Sequence, residues 1–198
     1  MIQTFYTRED DAMKIGCLGW GSLIWDPQNL PVQKHWFCDG PLLPIEFTRH
    51  SSKDRITLVL TPGAAIVRSL WTLMLVNDLD TAKVSLAKRE GIPAKNIQKD
   101  VGYCFGATKS DGESSDVIAK WASYIGLDAV VWTALPPKFD GQDGKIPAVE
   151  GVISFLRHPS QEFPGKAEEY IRMTPRQIDT EYRRLIEAEL GWTSIGEI

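Results

Sequence analysis

The chain has 198 residues, of which 43% are hydrophobic and 24% charged, and its formal net charge is −4. These values are ordinary for a globular protein, and the length is sufficient for one domain with a sizeable core. An acidic chain without a basic cluster is a poor candidate for binding nucleic acid or an anionic membrane.

Residues 1–14 are polar and lack the apolar segment of a signal peptide, and no apolar run is long enough to span a bilayer. The cysteines Cys17, Cys38 and Cys104 form no C-x-x-C pair, and the histidines are scattered along the chain. We therefore expect a reducing, cytoplasmic location, no metal site and no other cofactor. The sequence carries no signal for the oligomeric state.

Residues 14–26, K-I-G-C-L-G-W-G-S-L-I-W-D, begin as a buried strand and then break at Gly19 and Gly21. Two glycines around an aromatic residue permit a sharp turn and leave backbone N–H groups open to a ligand, because no Cβ stands in the way. The spacing around Ser22 fits neither the G-x-S-x-G elbow nor a dinucleotide fingerprint. The stretch is either an anion or oxyanion site or a tight turn that needs glycine for its backbone angles.

Three further segments have patterns typical of strands. Residues 45–48 alternate apolar and polar side chains, and residues 56–61 and 65–74 flank a Pro-Gly turn signal that predicts a hairpin. Together with the first strand they predict an α+β fold, in which a small, mostly antiparallel β-barrel or curled sheet carries flanking helices. Arg49 follows one of these strands, where it either binds a substrate carboxylate bidentately or forms a surface ion pair.

Residues 79–90 are predicted to form a helix that ends at Gly91. Helical spacing places Glu90 on the apolar side, in the last turn, where the helix dipole disfavours an anion. A glutamate that only solubilises the surface would not occupy such a position. Glu90 is therefore a candidate proton carrier, the alternative being a structural glutamate neutralised by Lys83 or Arg49.

The second half of the chain offers elements but no motif that points to chemistry. Its predicted elements are strands over residues 101–108 and 129–132 and a helix over residues 116–125. We treat residues 1–198 as one domain whose last part, about residues 149–198, is a helical extension. Its final helix is predicted to begin at Thr174 and Pro175 and to end at Gly191.

Residues 19–25, G-W-G-S-L-I-W, resemble the substrate-binding loop of the gamma-glutamylcyclotransferase-like superfamily. The nearest branch is the glutathione-degrading, cation-transport-regulator-like one, whose strand ends in Gly-Tyr-Gly-Ser-Leu-Ile-Trp. Trp20 stands where that family usually has Tyr. The resemblance continues more loosely through residues 47–50, 56–60 and 88–91, and so covers roughly residues 14–91.

This resemblance implies that a small γ-glutamyl amide or peptide is converted to 5-oxoproline and a free amine, as in glutathione metabolism. In the family the matching loop binds the substrate and the glutamate matching Glu90 is the acid and base. The reaction is intramolecular, so no protein nucleophile is expected. The residues assigned to substrate binding are Gly19, Trp20, Gly21, Ser22 and Leu23, with Arg49 added because of its position.

Two other classes of function are compatible with the sequence. A non-catalytic member of the same fold that binds a ligand or a protein is favoured by Trp20 and by the unfamiliar second half. A thiol hydrolase would use Cys17 or Cys104 with His50. It is disfavoured because Cys17 lies within an apolar strand, where a thiol should be inert.

Overall fold

In a computed structural model, residues 12–52, 54–106, 108–110, 112–158 and 161–196 are described. The polar N-terminal segment, on which the expectation about a signal peptide depends, lies almost wholly outside these residues. The described strands are β1 Ile15–Gly19, β2 Leu42–Ser51, β3 Arg55–Leu60, β4 Ile66–Arg68, β5 Leu70–Leu73, β6 Val101–Phe105, β7 Thr108–Lys109, β8 Ala129–Thr133, β9 Lys138–Phe139 and β10 Gln142–Asp143. The α-helices are α1 Leu79–Glu90, α2 Ile97–Asp100, α3 Glu113–Ile125, α4 Val149–Leu156, α5 Lys166–Met173 and α6 Glu181–Leu190.

The fold is α+β, with two mixed sheets. The first has the strand order β5-β1-β8-β6-β7, in which only β1 and β8 are parallel. The second has the order β10-β9-β2-β3, and β4 also pairs with β2. The expectation of mostly antiparallel pairing is confirmed. Of the two expected forms, a small barrel and a curled sheet, the barrel is wrong for the described strands, because they form two open sheets, which are compatible with the curled sheet.

The prediction of one strand over residues 65–74 is wrong. They divide at Ser69 into β4, which belongs to the second sheet, and β5, which belongs to the first. Ser69 is fully buried, and both its N–H and its hydroxyl donate to the carbonyl oxygen of Pro41, at 3.1 and 2.7 Å. These bonds hold the chain at the corner where it passes from one sheet to the other.

The predicted hairpin between β3 and β4 is also wrong. Both strands pair with β2 instead: its first part, from Leu42 to Pro44, pairs with β4, and the part from Ile45 onwards pairs with β3. A strand of ten residues is long enough to serve both partners. The turn at Pro62-Gly63 therefore connects two strands that pair with consecutive parts of β2, and β4 does not pair with β3.

Helix α1 is confirmed at both ends. The Asp78 carboxylate accepts a hydrogen bond from the Thr81 N–H at 2.7 Å, and Gly91 ends the helix with a φ of 68°, which glycine adopts without strain. Ala82 and Leu86 are fully buried on the core side. No helix within the described ranges is long and apolar enough to cross a lipid bilayer.

Residues 149–190 contain α4, α5 and α6, and α5 packs against β3. The predicted start of the last helix is wrong: α6 begins at Glu181, with Thr180 as its N-cap. Thr174 instead ends α5, and its carbonyl oxygen accepts hydrogen bonds from Arg183 and Ser194, both at 2.9 Å. A carbonyl used in this way is not available to begin a helix.

A buried carboxylate joins β2 to the beginning of α6. The Glu46 side chain, 3% exposed, accepts hydrogen bonds from the Thr180 hydroxyl at 2.5 Å and the Tyr182 N–H at 3.2 Å. Burial raises the pKa of the Glu46 carboxyl above its usual 4.5, although these hydrogen bonds oppose the shift. A carboxyl with a raised pKa stabilises the fold at low pH, and that contribution is lost as the pH rises through the raised pKa.

We expect Glu46→Gln to lower the free energy of unfolding by about 1–3 kcal/mol at about pH 4, because an amide N–H₂ would replace one of the buried acceptors. The difference from the wild type should shrink by about pH 8, since only the wild-type carboxyl titrates. Urea unfolding at the two pH values measures this, with the exposed Glu150→Gln as the control. A difference that grows with pH would contradict the assignment.

Candidate active site

A cavity of about 440 Å³ lies where the end of β1 meets β3, the end of α1 and helix α5, and its volume suits a small molecule. Every residue assigned to the site from the sequence lines it, namely Gly19, Trp20, Gly21, Ser22, Leu23, Arg49 and Glu90. The structure therefore brings together the loop of residues 19–23 and the helix end at Glu90, which are far apart in the sequence.

The 19–23 loop continues β1 into a helical turn. The N–H of Ile24 donates to the Gly21 carbonyl at 3.0 Å, and the N–H of Asp26 donates to the Ser22 carbonyl at 2.8 Å. The N–H groups of Gly21, Ser22 and Leu23 have no acceptor among the described residues. Unused N–H groups at the start of a helical turn are suited to binding an anion or an oxyanion.

Trp20 closes the loop against the second sheet. Its side chain is 5% exposed, and its indole N–H donates to the Leu58 carbonyl oxygen on β3 at 3.2 Å. The Trp20 side chain is thus buried and also makes a polar contact. Trp20 fixes the distance between the loop and β3 and forms part of the cavity wall.

The two glycines of the loop are required by space, not by unusual backbone angles, since neither has a positive φ. A Cβ on Gly19 would lie 2.5 Å from the Trp36 ring. A Cβ on Gly21 would lie 2.2 Å from the hydroxyl oxygen of Tyr170. Gly21 is therefore the point at which the loop touches helix α5.

One guanidinium group connects Glu90 to the loop. Arg89 Nη1 donates to Glu90 Oε1 at 2.7 Å, while Arg89 Nη2 donates to Ser22 Oγ at 3.1 Å and to the Asp26 carbonyl oxygen at 2.6 Å. The Arg89 side chain is 7% exposed and the Glu90 side chain 19%. The Glu90 carboxylate and the Ser22 hydroxyl therefore lie close together, because both accept hydrogen bonds from the same guanidinium group.

The partner of Glu90 is thus its neighbour in sequence and neither of the cations suggested by the sequence. Lys83 instead pairs with Asp80 at 3.3 Å and lies over the Tyr103 ring. A pair between consecutive residues is not expected from the sequence, because their side chains point in different directions along a regular helix.

Arg49 lines the cavity but is occupied by the protein itself. Its Nη1 donates to the Pro136 carbonyl oxygen at 2.7 Å and reaches Asp143 of β10 at 3.5 Å. These contacts hold the β9–β10 hairpin against β2. The guanidinium group that was expected to take a substrate carboxylate therefore already has acceptors.

Tyr170 of α5 was not identified from the sequence. It lines the cavity and its hydroxyl oxygen accepts the Leu58 N–H at 3.3 Å. Burial raises the pKa of Tyr170 to about 12, and the nearby Glu90 adds to the shift. The hydroxyl is therefore protonated at neutral pH. In the sequence, Tyr170 is recognisable only as an apolar residue of α5 next to Ile171, and this position indicates packing in the core and not a functional role.

The side chains of Cys17 and Cys104 are buried, as is typical of cysteines that pack in a core and do not react. Burial raises the pKa of Cys17 to about 12 and that of Cys104 to about 11. His50 contacts Asp54 at 3.3 Å and lies against the Phe155 ring. No Cys–His hydrogen bond is present in the part of the chain that the structure describes, so the thiol-hydrolase alternative has no nucleophile–base pair here.

Comparison of the chain with protein-family models, with curated proteins and with solved structures gives no match. Any functional assignment therefore depends on the chemistry of the cavity and on the resemblance of the 19–23 loop.

Proposed function

We propose that the cavity is the active site of a γ-glutamyl cyclotransferase, which releases 5-oxoproline and an amine from a small γ-glutamyl amide or peptide. The observation that carries this proposal is the convergence of two groups on one cavity. The 19–23 loop contributes unused N–H groups, and α1 contributes the partly buried carboxylate of Glu90. Acyl transfer at an amide requires such a pair: donors for the oxyanion and a group that carries the proton.

In the proposed reaction the substrate supplies its own nucleophile. The Glu90 carboxylate takes a proton from the α-ammonium group, and the freed amine attacks the γ-carbonyl carbon to form a new C–N bond. The carbonyl oxygen becomes an oxyanion, which accepts hydrogen bonds from the loop N–H groups. As the oxyanion collapses, the original γ-amide C–N bond breaks and the leaving amine takes the proton from Glu90. The ring nitrogen still carries two protons after the attack, and it passes one of them through Glu90 to the released amine, which leaves as an ammonium ion. With this second transfer, charge and atoms balance without a cofactor.

The cavity contributes orientation as well as charge. An extended γ-glutamyl chain must fold so that its amine meets its own carbonyl carbon, and holding that geometry is worth several kcal/mol. Trp20, fixed by its bond to Leu58, and Tyr170, fixed by its bond from Leu58, provide rigid walls for the folded substrate. Arg89 holds Glu90 and Ser22 in one arrangement.

The second candidate is a non-catalytic protein that keeps the same pocket and binds a ligand. One observation favours it: the Glu90 carboxylate is already paired with Arg89, as a structural glutamate would be. The catalytic proposal is preferred because Glu90 still lines the cavity beside the unused N–H groups.

The two candidates are separated by a coupled assay for 5-oxoproline. The purified protein is tested against glutathione, a γ-glutamyl amino acid and a γ-glutamylamine. Catalysis predicts enzyme-dependent 5-oxoproline from at least one of them. Binding of a γ-glutamyl compound without turnover on the whole panel would overturn the catalytic proposal in favour of the binding protein.

Thiol reagents should leave this activity intact. At about pH 7.5 we expect iodoacetamide to modify the exposed Cys38 and to spare Cys17 and Cys104, because burial raises the pKa of each of these two thiols and restricts access. Mass spectrometry locates the modified residue, and the 5-oxoproline assay follows the activity. Inactivation in step with modification of Cys17 or Cys104 would revive the thiol mechanism.

A further inference from the structure

Four cationic side chains line the cavity: Arg49, Arg55, Arg89 and Lys166. Three of them donate to acceptors of the protein itself, as described for Arg49 and Arg89 and as Lys166 does with Glu169. Arg55, the first residue of β3, differs from them. No hydrogen bond joins its guanidinium group to a described residue, and its Nε is buried without a partner, as is the Nε of Arg89, whose terminal nitrogens do donate.

The position of Arg55 is fixed without an acceptor. Its Cζ lies 5.5 Å from the centroid of the Tyr170 ring, which is a cation–π contact. A guanidinium has five N–H donors and no acceptor, and leaving a buried donor unpaired is costly. Of the four cavity cations, Arg55 alone makes no hydrogen bond to a described residue, so its guanidinium group is free to bind an anionic group of a ligand.

The remaining charges of the cavity limit what that anion can be. Asp26, Glu90 and Glu169 also line it, and the last two are paired with Arg89 and Lys166. Arg55 is thus the one of the four cations that has no acidic partner among the described residues, and it lines the same cavity as three carboxylates. A group with a single negative charge suits this balance, whereas a dianionic phosphate would be repelled by the neighbouring acids. A planar carboxylate also matches the two parallel donors of a guanidinium.

We propose that Arg55 is the residue that binds a carboxylate of the ligand, and that Arg49 instead supports the β9–β10 hairpin. The identity of the ligand rests on the proposed function: a γ-glutamyl amino acid carries one carboxylate on its glutamyl part and another on the leaving amine. Both have the same chemistry, and Arg55 takes one of them.

The two products of the proposed reaction carry these carboxylates separately, so binding experiments distinguish them without requiring turnover. Wild type, Arg55→Gln, Arg55→Lys and Arg49→Gln are titrated with 5-oxoproline and with a free amino acid such as alanine. The uncharged lactam 2-pyrrolidinone serves as the control ligand, and unchanged thermal unfolding confirms that each variant is folded.

If Arg55 binds the glutamyl carboxylate, Arg55→Gln should weaken 5-oxoproline binding about 10- to 100-fold and leave 2-pyrrolidinone unaffected. If it binds the carboxylate of the leaving amine, the same loss should appear with alanine. Arg55→Lys should recover part of the affinity in either case, because it keeps the charge but not the planar fork.

The inference is overturned if Arg55→Gln binds both 5-oxoproline and alanine as tightly as the wild type does. It is also overturned if only Arg49→Gln has weakened binding of these ligands, or if the wild type binds neither of them. These outcomes are separate from a failure of the proposed function. Arg55-dependent carboxylate binding in a protein that produces no 5-oxoproline would retain this site and reject the cyclotransferase. If the protein produces 5-oxoproline and substitution of Arg55 changes neither this activity nor carboxylate binding, the cyclotransferase would be retained and the Arg55 site rejected.

Discussion

Replacing Glu90 by glutamine should lower kcat by about 10²- to 10⁴-fold, with KM nearly unchanged. The amide has the shape of the carboxylate and can still accept a hydrogen bond from Arg89, so the cavity should keep its form. It cannot carry a proton between the substrate ammonium and the leaving amine. The loss should fall on kcat because the proton is in transit in the transition state and not in the bound ground state.

Steady-state kinetics with the best γ-glutamyl substrate measure this effect. The matched control is Glu168→Gln, which also removes a carboxylate from a pair with an arginine, Arg172, but lies outside the cavity. That variant should behave as the wild type. If Glu90→Gln keeps its activity and instead unfolds at a lower temperature, Glu90 is a structural partner of Arg89 and the proposed mechanism is wrong.

Gly21→Val should abolish ligand binding and activity. The first added carbon alone would lie 2.2 Å from the Tyr170 hydroxyl oxygen, so Tyr170 or the loop must move. Movement of Tyr170 would break its bond with Leu58 and disturb its edge contact with Trp25. We also expect the free energy of unfolding to fall by about 1–3 kcal/mol, as is usual when a packed site is overfilled.

Further variants show whether the clash is the cause. Gly151→Ala in α4 adds a carbon whose nearest neighbour is 3.8 Å away and should be harmless. Ser22→Ala removes only a hydroxyl that accepts from Arg89, so its effect should be modest. Gly21→Ala should cost less in a Tyr170→Phe background than alone, because the hydroxyl is the nearest atom. A larger effect for Ser22→Ala than for Gly21→Val would refute the role given to the loop backbone.

The parts of the site that were predictable from the sequence have local signals. Gly19 and Gly21 surround an aromatic residue at the end of an apolar run, and Glu90 immediately precedes the glycine that ends α1. Their spatial proximity was inferred from the resemblance, and the structure now places all of them around one cavity. The reason for Gly21 was not predictable, since the atom that excludes a side chain belongs to α5.

The residues that were missed depend on contacts that no local pattern reveals. Tyr170 meets Leu58 across 112 positions of the chain, and its helix has the composition of an ordinary packing helix. Arg55 is one charged residue at the start of a strand, and the absence of a hydrogen bond from it to any described residue is visible only in the folded structure.

The α+β class of the fold was predicted, but its division into two sheets was not, for a related reason. The run of residues 65–74 has uniform strand propensity, and the division at Ser69 follows from its bonds to Pro41, which is distant in sequence. Thr174 and Pro175 likewise have the residue types of a helix start, yet the Thr174 carbonyl is used by Arg183 and Ser194. Tertiary hydrogen bonds overrode local preference at both places.

The most direct test of the central claim is to identify the product formed in water enriched in ¹⁸O. Intramolecular cyclisation predicts 5-oxoproline and free amine in equal amounts, with no ¹⁸O in the 5-oxoproline, because the γ-carbonyl oxygen of the substrate is retained. The Glu90→Gln variant should form the same unlabelled product far more slowly. Free glutamate carrying one ¹⁸O would show that water is the nucleophile and would contradict the cyclotransferase.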